Sequence, residues 1–384
     1  MRPILIGTVL LSIAAAYYIY LPLPSTISEP WKLMFSDALI RGMMKLVRFC
    51  INPLGLFSSP SVRVTEASFG GVGALVFEST VAGQEQSFTR GVVYFHGGGW
   101  TLGSTSTSYY LPGFCCISCL NCMFRYRLAP DARFPDQYND VFQASKHILT
   151  AEVLGRYSID PKRVAVSGDS AGGNLIANNH ISFSIPIKFK VQALVYPVLQ
   201  ALDFNTPSYQ QNTNMPILDR PMVLRFWLEY LNGEQKLVPA LLANNHTALD
   251  QGQEIAAAKA KTDWTKLLPV AFQKSYKPVF PLQGDPKLLE KLPGLLDVRA
   301  APLLAETKVL KAVPPAYIMT CEHDVLRDDG LMYATRLEEA GVDVTVDHFE
   351  DGFHGCLSFA FGPFAFSVGR RSLGNYIHWL KENL

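Results

Sequence analysis

The pentapeptide GDSAG at residues 168–172 is the feature that most restricts how this chain can fold. It fits the pattern G-x-S-x-G, in which a serine occupies a sharp turn between a strand and a helix. Residues 163–167 are a short run that predicts a buried strand, and residues 171–182 carry leucine and isoleucine at helical spacing. The flanking glycines let the two arms of the turn approach without a Cβ clash. The pattern therefore predicts that Ser170 lies exposed at a strand end as a nucleophile.

A second motif, HGGG at residues 96–99, precedes the serine motif along the chain. Residues 91–95 predict the strand that carries this loop to the same sheet edge as Ser170. Backbone N–H groups of such a loop stabilise the negative oxygen that forms during nucleophilic attack. We interpret His96 as a brace for the loop rather than as a base. The two motifs in this order are far more specific than G-x-S-x-G alone.

The acid that would orient a catalytic base follows a third predicted strand. Residues 315–321 form a buried run that ends shortly before Asp324, and a helix is predicted to follow. Functional side chains of open α/β sheets gather at the carboxyl ends of the strands, which favours Asp324 for this role. The neighbouring carboxylates are assigned to the helix N-terminus or to the surface: Glu322, Asp328 and Asp329.

The base is predicted in the segment after the next strand. Residues 342–348 alternate between apolar and polar side chains, and the following residues 350–355 contain His354 between two glycines. His354 is therefore expected on a loop that can reach Ser170. His348 continues the strand and is interpreted as a packed or rim histidine. Four further histidines have no motif around them and are not assigned a function: His147, His180, His246 and His378.

These residues lie in longer motifs that carry a family resemblance over nearly the whole chain. The chain resembles the hormone-sensitive-lipase-like branch of the α/β hydrolases and, more narrowly, the arylacetamide deacetylase group. The segments that carry the broader resemblance are residues 96–100 (HGGGW), 126–130 (YRLAP), 168–174 (GDSAGGN) and 351–355 (DGFHG). The segments that carry the narrower one are residues 16–20, 296–304, 326–333 and 379–384. Residues 112–125 depart from the family pattern, because cysteines stand where a helix and a valine-rich strand are expected.

The resemblance implies an α/β class chain with the α/β-hydrolase fold: a mostly parallel central sheet, a helical cap and an N-terminal transmembrane helix. It implies a membrane-anchored serine esterase of the endoplasmic reticulum that faces the lumen and cleaves lipophilic esters and aryl amides. The triad carried over from the family falls on the three residues reached above: Ser170, Asp324 and His354. The oxyanion donors carried over are the backbone N–H groups of Gly97, Gly98 and Ala171. His96, Gly99 and Asp169 belong to the supporting motifs.

The low charge and the high apolar content of the chain favour a protein that contacts lipid. The net charge is +1 and there is no basic run, which argues against nucleic acid as a partner. Charged residues make up 17% of the chain, against a usual ~25%. The mean hydropathy is +0.13, and 48% of the residues are apolar.

Residues 1–23 are predicted to be the contact with lipid. Residues 4–23 carry no charge, come close to the length of a bilayer core and have tyrosines toward one end. Arg2 favours a cytoplasmic terminus and a luminal catalytic domain, as in a type II signal-anchor. A cleaved signal peptide stays open as the alternative, because Ala14-Ala15-Ala16 offers a cleavage site. With that topology, Asn245 in the sequon Asn245-His246-Thr247 is a glycosylation candidate.

Seven cysteines leave the disulfide pattern open. Four of them crowd one segment: Cys115, Cys116, Cys119 and Cys122. Because phenylalanine, isoleucine, leucine and methionine lie among them, we interpret these cysteines as buried thiols rather than as metal ligands. No metal or cofactor is expected.

Residues 24–384 are predicted to be one hydrolase domain with cap elements at about 30–57 and 197–314. The second stretch is longer than an ordinary connection between elements of such a sheet. It contains an apolar predicted helix at residues 221–231. The phenylalanines of residues 357–368 either line an acyl pocket or touch the membrane, or else belong to a core helix.

The mechanism that these residues support is acyl transfer in two steps through an acyl-enzyme. Two alternatives stay open: a neutral lipase for glycerides or sterol esters, and a catalytically silent hydrolase fold that binds a lipophilic ligand or a protein partner. The physiological substrate and the oligomeric state are beyond what the sequence determines.

Overall fold

The structure is a computed structural model. It describes residues 2–47, 62–80, 89–103, 119–177, 186–248, 252–279, 281, 283–362 and 365–384. The statements below concern these residues.

Eight strands of the described residues form one sheet with the spatial order β1-β2-β4-β3-β5-β6-β7-β8. The strands are β1 (Val62–Phe69), β2 (Val72–Ser79), β3 (Thr89–Phe95), β4 (Cys119–Arg125), β5 (Ile159–Asp169), β6 (Val191–Val195), β7 (Ala316–His323) and β8 (Val344–Phe353). β2 pairs antiparallel with β1 and with β4, whereas the strands from β4 through β3, β5, β6 and β7 to β8 are parallel to one another. The carboxyl ends of β3, β5, β6, β7 and β8 therefore meet at one edge.

Both faces of the sheet are covered. Val93 and Phe95 belong to one buried apolar cluster, whereas Val92 and Tyr94 belong to a second. Because successive side chains of a strand point to opposite faces, the two clusters lie on opposite sides of the sheet. This arrangement is what a parallel sheet needs, since its strands are flanked by helices on both sides.

The described residues form fifteen α-helices. They are α1 (Arg2–Ile19), α2 (Pro30–Val47), α3 (Asp136–Ile148), α4 (Ala151–Arg156), α5 (Ala171–Ala177), α6 (Pro207–Gln211), α7 (Arg220–Tyr230), α8 (Val238–Leu242), α9 (Gly252–Ala260), α10 (Trp264–Leu267), α11 (Val270–Gln273), α12 (Lys287–Lys291), α13 (Thr307–Leu310), α14 (Arg327–Glu339) and α15 (Ser367–Asn383). Short 3₁₀ turns cover Gln235–Leu237, Asn245–Thr247, Pro293–Leu296, Pro302–Leu304 and Cys356–Phe359.

The helices α6 to α13 all lie in the long connection between β6 and β7. The predicted helix at residues 221–231 appears here as α7. Asp219 is its N-cap, because the Asp219 side chain accepts a hydrogen bond from the Met222 N–H at 2.7 Å. Trp227 on α7 is fully buried and its ring lies 4.8 Å from that of Trp100, the residue after the glycine motif. This packing ties the connection to the loop that carries the glycines.

The amino-terminal segment forms two helices that contact each other. The Tyr18 hydroxyl of α1 donates to the Ala38 carbonyl of α2 at 3.5 Å. Among the helices that the structure describes, none combines the length and the apolar character needed to cross a bilayer. The predicted transmembrane helix at residues 1–23 is therefore not confirmed. The first predicted cap element appears as α2, and the rest of it, residues 48–57, lies outside the described residues.

One local prediction differs from the structure, and one alternative left open by the sequence is decided by it. β8 continues to Phe353, so that His354 follows the strand directly and not a loop beginning near residue 350. The phenylalanine-rich segment forms core: the rings of Phe353, Phe359 and Phe366 lie within 6.0 Å of one another, and Phe366 is fully buried. The unusual segment at 112–125 is described only from Cys119 onward, where it forms the central strand β4.

Candidate active site

The turn between β5 and α5 holds Ser170 in a left-handed backbone conformation, with φ +51°. Its N–H donates to the Val195 carbonyl of β6 at 2.8 Å. A Cβ on Gly172 would lie 2.0 Å from the Phe95 carbonyl oxygen, so that only glycine lets the turn come this close to β3. The sequence pattern predicted this turn, and its glycines explain why the strained serine can be accommodated.

Ser170, His354 and Asp324 form one chain of hydrogen bonds. His354 Nε2 lies 3.1 Å from Ser170 Oγ, and His354 Nδ1 lies 2.8 Å from Asp324 Oδ2. A carboxylate can only accept, so Nδ1–H donates to Asp324 and Nε2 is left to accept the serine proton. All three are buried, with exposed fractions of 8%, 8% and 1%. The structure thus brings together the three residues that the sequence nominated.

Hydrogen bonds hold both the side chain of Asp324 and the backbone around it. Asp324 Oδ1 accepts from the Leu326 N–H at 2.8 Å, which leaves Oδ2 for His354. Asn212, at the end of α6, donates its side-chain amide to the carbonyls of Glu322 and Asp324, each at 3.0 Å. Sequence reasoning missed Asn212, because no local pattern places it beside a strand end 112 residues away.

The glycine loop corrects one prediction. The Gly97 N–H donates to Asp169 Oδ1 at 2.9 Å, and the Tyr94 hydroxyl donates to the same oxygen at 2.7 Å. Gly97 was expected to be an oxyanion donor, but its N–H is used to join the glycine loop to the serine turn. Gly98 and Gly99, unlike Gly97, line the cavity in front of Ser170.

His96 supports this loop and is not among the residues that line the cavity in front of Ser170. Its ring stacks on that of Tyr126 at 4.6 Å, and the Tyr126 hydroxyl donates to the His96 carbonyl at 2.7 Å. Burial lowers the pKa of His96, which keeps the ring neutral near pH 7. The structure therefore places His96 as the sequence interpretation expected.

The carboxylates beside Asp324 are internal and not on the surface. Asp329 is fully buried and accepts from the Leu199 N–H at 2.8 Å, and burial raises its pKa to about 7. Asp328 is also fully buried and accepts from the Ser208 N–H at 2.6 Å. Both belong to the first turn of α14, which is the helix N-terminal alternative of the prediction, and neither lies on the surface.

Glu322 belongs to an ion-pair network beside the triad. Its carboxylate pairs with Arg327 at 3.0 Å and with His348 at 3.5 Å. Burial alone would raise the pKa of Glu322, but hydrogen bonding from His348 and the charge of Arg327 outweigh it and lower the pKa. His348 also lies 2.9 Å from the hydroxyl of Thr320, its paired residue on β7, so the structure places it half-buried within β8.

The remaining histidines lie away from Ser170. His246 is buried against the Ala201 carbonyl at 2.9 Å, and burial lowers its pKa to about 4. His147 packs by its ring edge on Phe69, and His378 pairs with Glu382 at 3.1 Å. His180 lies outside the described residues.

An apolar cavity of about 240 Å³ opens in front of the serine. Its described walls come from the glycine loop, the strand ends, the β6–β7 connection and α2. Beyond the triad and the glycines they include Ile40, Trp100, Leu102, Tyr196, Val198, Ile217, Leu218, Met222, Val223, Phe226 and Leu326. Ring centroids of Tyr196 and His354 are 4.8 Å apart. Sequence reasoning placed a cap here but could not name these side chains, since they come from segments far apart in the chain.

The described cysteines form no disulfide. Cys321 Sγ and Cys356 Sγ lie 3.7 Å apart as thiols, and Cys122 is buried, as the sequence interpretation expected for that segment. The described residues contain no group of three or more histidine, cysteine or acidic side chains that could hold a metal ion. Cys50, Cys115 and Cys116 lie outside them.

Comparison with known proteins agrees with this geometry. A family defined by the alpha/beta hydrolase fold matches residues 92–266 and 287–358. The chain belongs to this family. It is 49% identical over 398 residues to neutral cholesterol ester hydrolase 1 of Mus musculus, covering 96% of this chain and 97% of that protein. It is 40% identical over 407 residues to arylacetamide deacetylase of Oryctolagus cuniculus, covering 99% and 100%.

Solved structures show the same fold. A fungal esterase from Rhizomucor miehei superimposes with a TM-score of 0.67 at 24% identity, covering 94% of this chain and 98% of the esterase. The thermophilic carboxylesterase EstE1 superimposes with a TM-score of 0.61 at 23% identity, covering 92% and 97%. The resemblance inferred from the motifs is confirmed, as is the α/β-hydrolase fold with its mostly parallel sheet.

Proposed function

We propose that this protein is a serine hydrolase that cleaves carboxylic esters and aryl amides of lipophilic substrates through an acyl-enzyme. One observation carries the proposal: the hydrogen-bonded chain Asp324–His354–Ser170 ends at an apolar cavity. Buried triads of this order perform nucleophilic acyl transfer. The apolar walls favour substrates with a hydrocarbon acyl or aryl group.

The geometry assigns each triad residue a step. His354 Nε2 takes the proton of Ser170 as its oxygen attacks the carbonyl carbon, and Asp324 stabilises the imidazolium that forms. The imidazolium then protonates the leaving alcohol or amine, which departs and leaves an ester on Ser170. Water attacks that ester with His354 again as base, releasing the acid and restoring the serine.

The negative oxygen of each tetrahedral intermediate needs backbone donors. Gly98 and Ala171 remain as candidates, and Gly99 takes the place of Gly97, because it lines the cavity whereas the Gly97 N–H is engaged by Asp169. Each such donor contributes roughly 3 kcal/mol to the transition state in comparable sites. Asp169 serves this step indirectly, since it fixes the glycine loop relative to the serine turn.

A sterol ester is a specific second candidate within the same chemistry. It is favoured by the higher identity to the neutral cholesterol ester hydrolases, 49% against 40% for the arylacetamide deacetylase. The described cavity of about 240 Å³ is smaller than the ~300–1,000 Å³ usual for a drug-sized ligand. A cavity of this size suits the acyl part of such a substrate, with the alcohol part extending through the mouth.

The function is tested with purified full-length protein on three substrates: an aryl acetate ester, an aryl acetamide and a cholesteryl ester. Hydrolysis by the native chain and its loss in Ser170→Ala would support the serine mechanism, and the preferred substrate would decide between the two candidates. If the native chain hydrolyses none of them and does not react with a serine-directed phosphonate, the enzyme proposal fails and the silent binding fold replaces it.

We also propose that residues 1–23 attach the protein to the endoplasmic reticulum membrane as a type II anchor, with the catalytic domain in the lumen. The uncharged run 4–23 supports this, together with the exposure of Ile13 and Tyr17 on α1. Asn245 would then meet the glycosylation machinery before folding buries Thr247 of its sequon.

The test is alkaline carbonate extraction of cell membranes, with glycosidase treatment of the native chain and of Asn245→Gln. Release by carbonate contradicts the anchor, and an unglycosylated native chain contradicts the luminal topology.

A further inference from the structure

Ile217 has a backbone conformation that its residue type disfavours. It lies in the loop between α6 and α7 with φ +70°, in the left-handed region. A β-branched side chain rarely adopts this region, because its Cβ substituents crowd the neighbouring backbone. Such a residue persists only where its surroundings hold it in place, and such positions cluster at functional sites.

The group that holds Ile217 comes from the other end of the chain. The Ile217 N–H donates to Asp37 Oδ1 at 3.1 Å, across a sequence separation of 180 residues. Asp37 lies on the inner face of α2 and is only 6% exposed. A buried carboxylate that accepts a backbone N–H forms a charge-assisted hydrogen bond, which is stronger than one between neutral groups.

Both segments that this contact joins contribute side chains to the cavity in front of Ser170. Ile217 lines that cavity, and so does Ile40, which follows Asp37 by nearly one helical turn on α2. A Cβ on Gly355 would lie 3.7 Å from the Ile217 side chain, so Ile217 packs against the residue that follows His354. The side chain of Ile217 thus forms a wall of the cavity beside the catalytic histidine.

The loop around Ile217 has hydrogen bonds within its own segment, from the Met215 N–H to the Asn212 carbonyl at 3.0 Å and from the Arg220 N–H to the Thr213 carbonyl at 3.1 Å, but neither of them involves Ile217 itself. Asn212 binds the carbonyls next to Asp324 at the start of the loop, and Asp219 begins α7 at its end. Between these points Asp37 supplies the contact that sets the direction of Ile217. Without it, Ile217 can relax to the negative φ that its side chain prefers, and its Cβ then points in a different direction.

We propose that Asp37 is a positioning residue for substrate selectivity: it holds Ile217 in its left-handed conformation and thereby limits the length of the acyl group beside Ser170. The proposal deepens the proposed hydrolase function and rests on it. Asp37 touches no reacting atom. It therefore affects which acyl chain is accepted and leaves the triad as it is.

The test is a double-mutant cycle on selectivity in the full-length protein. The measured quantity is the ratio of kcat/KM for p-nitrophenyl octanoate to that for p-nitrophenyl acetate. Asp37→Ala is expected to shift this ratio toward octanoate by on the order of tenfold, the size of effect that one wall group of an apolar pocket has on specificity. The shift should appear mainly in KM, with kcat for the acetate ester close to that of the native chain.

The second mutation separates positioning from general loosening of the fold. Ile217→Gly removes the wall side chain and tolerates positive φ, so it should shift the ratio in the same direction as Asp37→Ala. Adding Asp37→Ala to Ile217→Gly should then change nothing further, because no side chain is left to position. Asp37→Asn keeps an acceptor oxygen and should retain the native ratio.

The control is Asp263→Ala. Asp263 also accepts a backbone N–H, that of Thr265 at 3.2 Å, but Asp263 does not line the cavity. The substitution should leave the ratio unchanged. An unchanged ratio in Asp37→Ala, or a full additional shift in the Ile217→Gly background, overturns the proposal. If Asp37→Ala does not fold, Asp37→Ser tests the same contact with a shorter side chain. Activity of the native chain on either ester leaves the proposed function standing whatever the cycle shows.

Discussion

The serine turn and the Ile217 loop both hold a non-glycine residue in the left-handed region, but they are secured differently. Ser170, with φ +51°, is held by neighbours in sequence, since Gly168 and Gly172 allow the close approach of β5, α5 and β3. Ile217, with φ +70°, is held by Asp37, 180 residues away. Strain secured locally has a sequence signature, whereas strain secured by a distant side chain has none. Both residues line the same cavity: in the proposed mechanism the first is the nucleophile and the second is part of the wall.

The largest expected effect is the loss of the nucleophile. Ser170→Ala should lower kcat/KM for every ester by on the order of 10⁴ or more, because no acyl-enzyme can form. Steady-state hydrolysis of a short aryl ester measures this. Ser68→Ala, an exposed serine of β1, is the matched control and should retain native activity. Residual activity near that of Ser68→Ala would remove Ser170 from the mechanism.

Gly172→Ala tests the local support of the serine turn. The new Cβ would lie 2.0 Å from the Phe95 carbonyl oxygen, so the turn must shift and carry Ser170 away from His354. A displacement of about 1 Å at a catalytic group costs roughly 10²-fold in rate. The measurement is kcat for a short aryl ester together with the thermal unfolding midpoint.

The matched control for that change is Gly155→Ala in α4, where a Cβ would meet nothing within 4 Å. It should leave both the rate and the midpoint close to native values. Equal effects of the two substitutions would mean that close approach at Gly172 is not what secures the turn.

Asn212→Ala tests whether the acid also depends on a distant contact. Loss of its two hydrogen bonds to the carbonyls of Glu322 and Asp324 frees the acid loop. Because a hydrogen bond contributes about 1–1.5 kcal/mol, kcat should fall roughly tenfold. Gln211→Ala removes a neighbour that bonds the Glu322 side chain and not the Asp324 carbonyl, and it should have little effect. A native kcat in Asn212→Ala would show that β7 alone positions the acid.

The last prediction concerns stability and not rate: it tests how the long β6–β7 connection is attached to the core. Asp329 accepts from the Leu199 N–H at the start of that connection, and burial raises its pKa to about 7. Because this pKa is raised in the folded state, the folded protein binds the Asp329 proton more tightly than the unfolded chain does. The resulting contribution to the free energy of unfolding is fully present below about pH 4 and is lost as pH rises through about 7. The free energy of unfolding of the native chain, relative to Asp329→Asn, should therefore rise as pH falls from about 7 toward 4.

Urea unfolding at several pH values measures that difference, with the exposed Asp343→Asn as control. A flat difference between the native chain and Asp329→Asn would contradict the raised pKa of Asp329. In that case the attachment of the connection would not respond to pH in this range.

Most of the candidate site could be predicted because its residues follow strands. Ser170 and Asp324 each occupy a position that a neighbouring strand and turn define, and His354 directly follows β8. The boundaries were less accurate: β8 runs into the segment expected to be a loop. The prediction that Gly97 is an oxyanion donor failed for a related reason. A motif gives the order of its glycines, but it does not show which N–H donates to the Asp169 carboxylate.

The sequence by itself determined which residues are the candidate nucleophile, acid and base, the strand ends that carry them, and hence the family. Local patterns suffice for these features, because turn glycines and strand periodicity act between neighbouring residues. Only the tertiary structure decided that Asp328 and Asp329 are buried, that Asn212 holds the acid loop, and that Asp37 meets Ile217. These features depend on contacts between segments more than 100 residues apart, which no local pattern records.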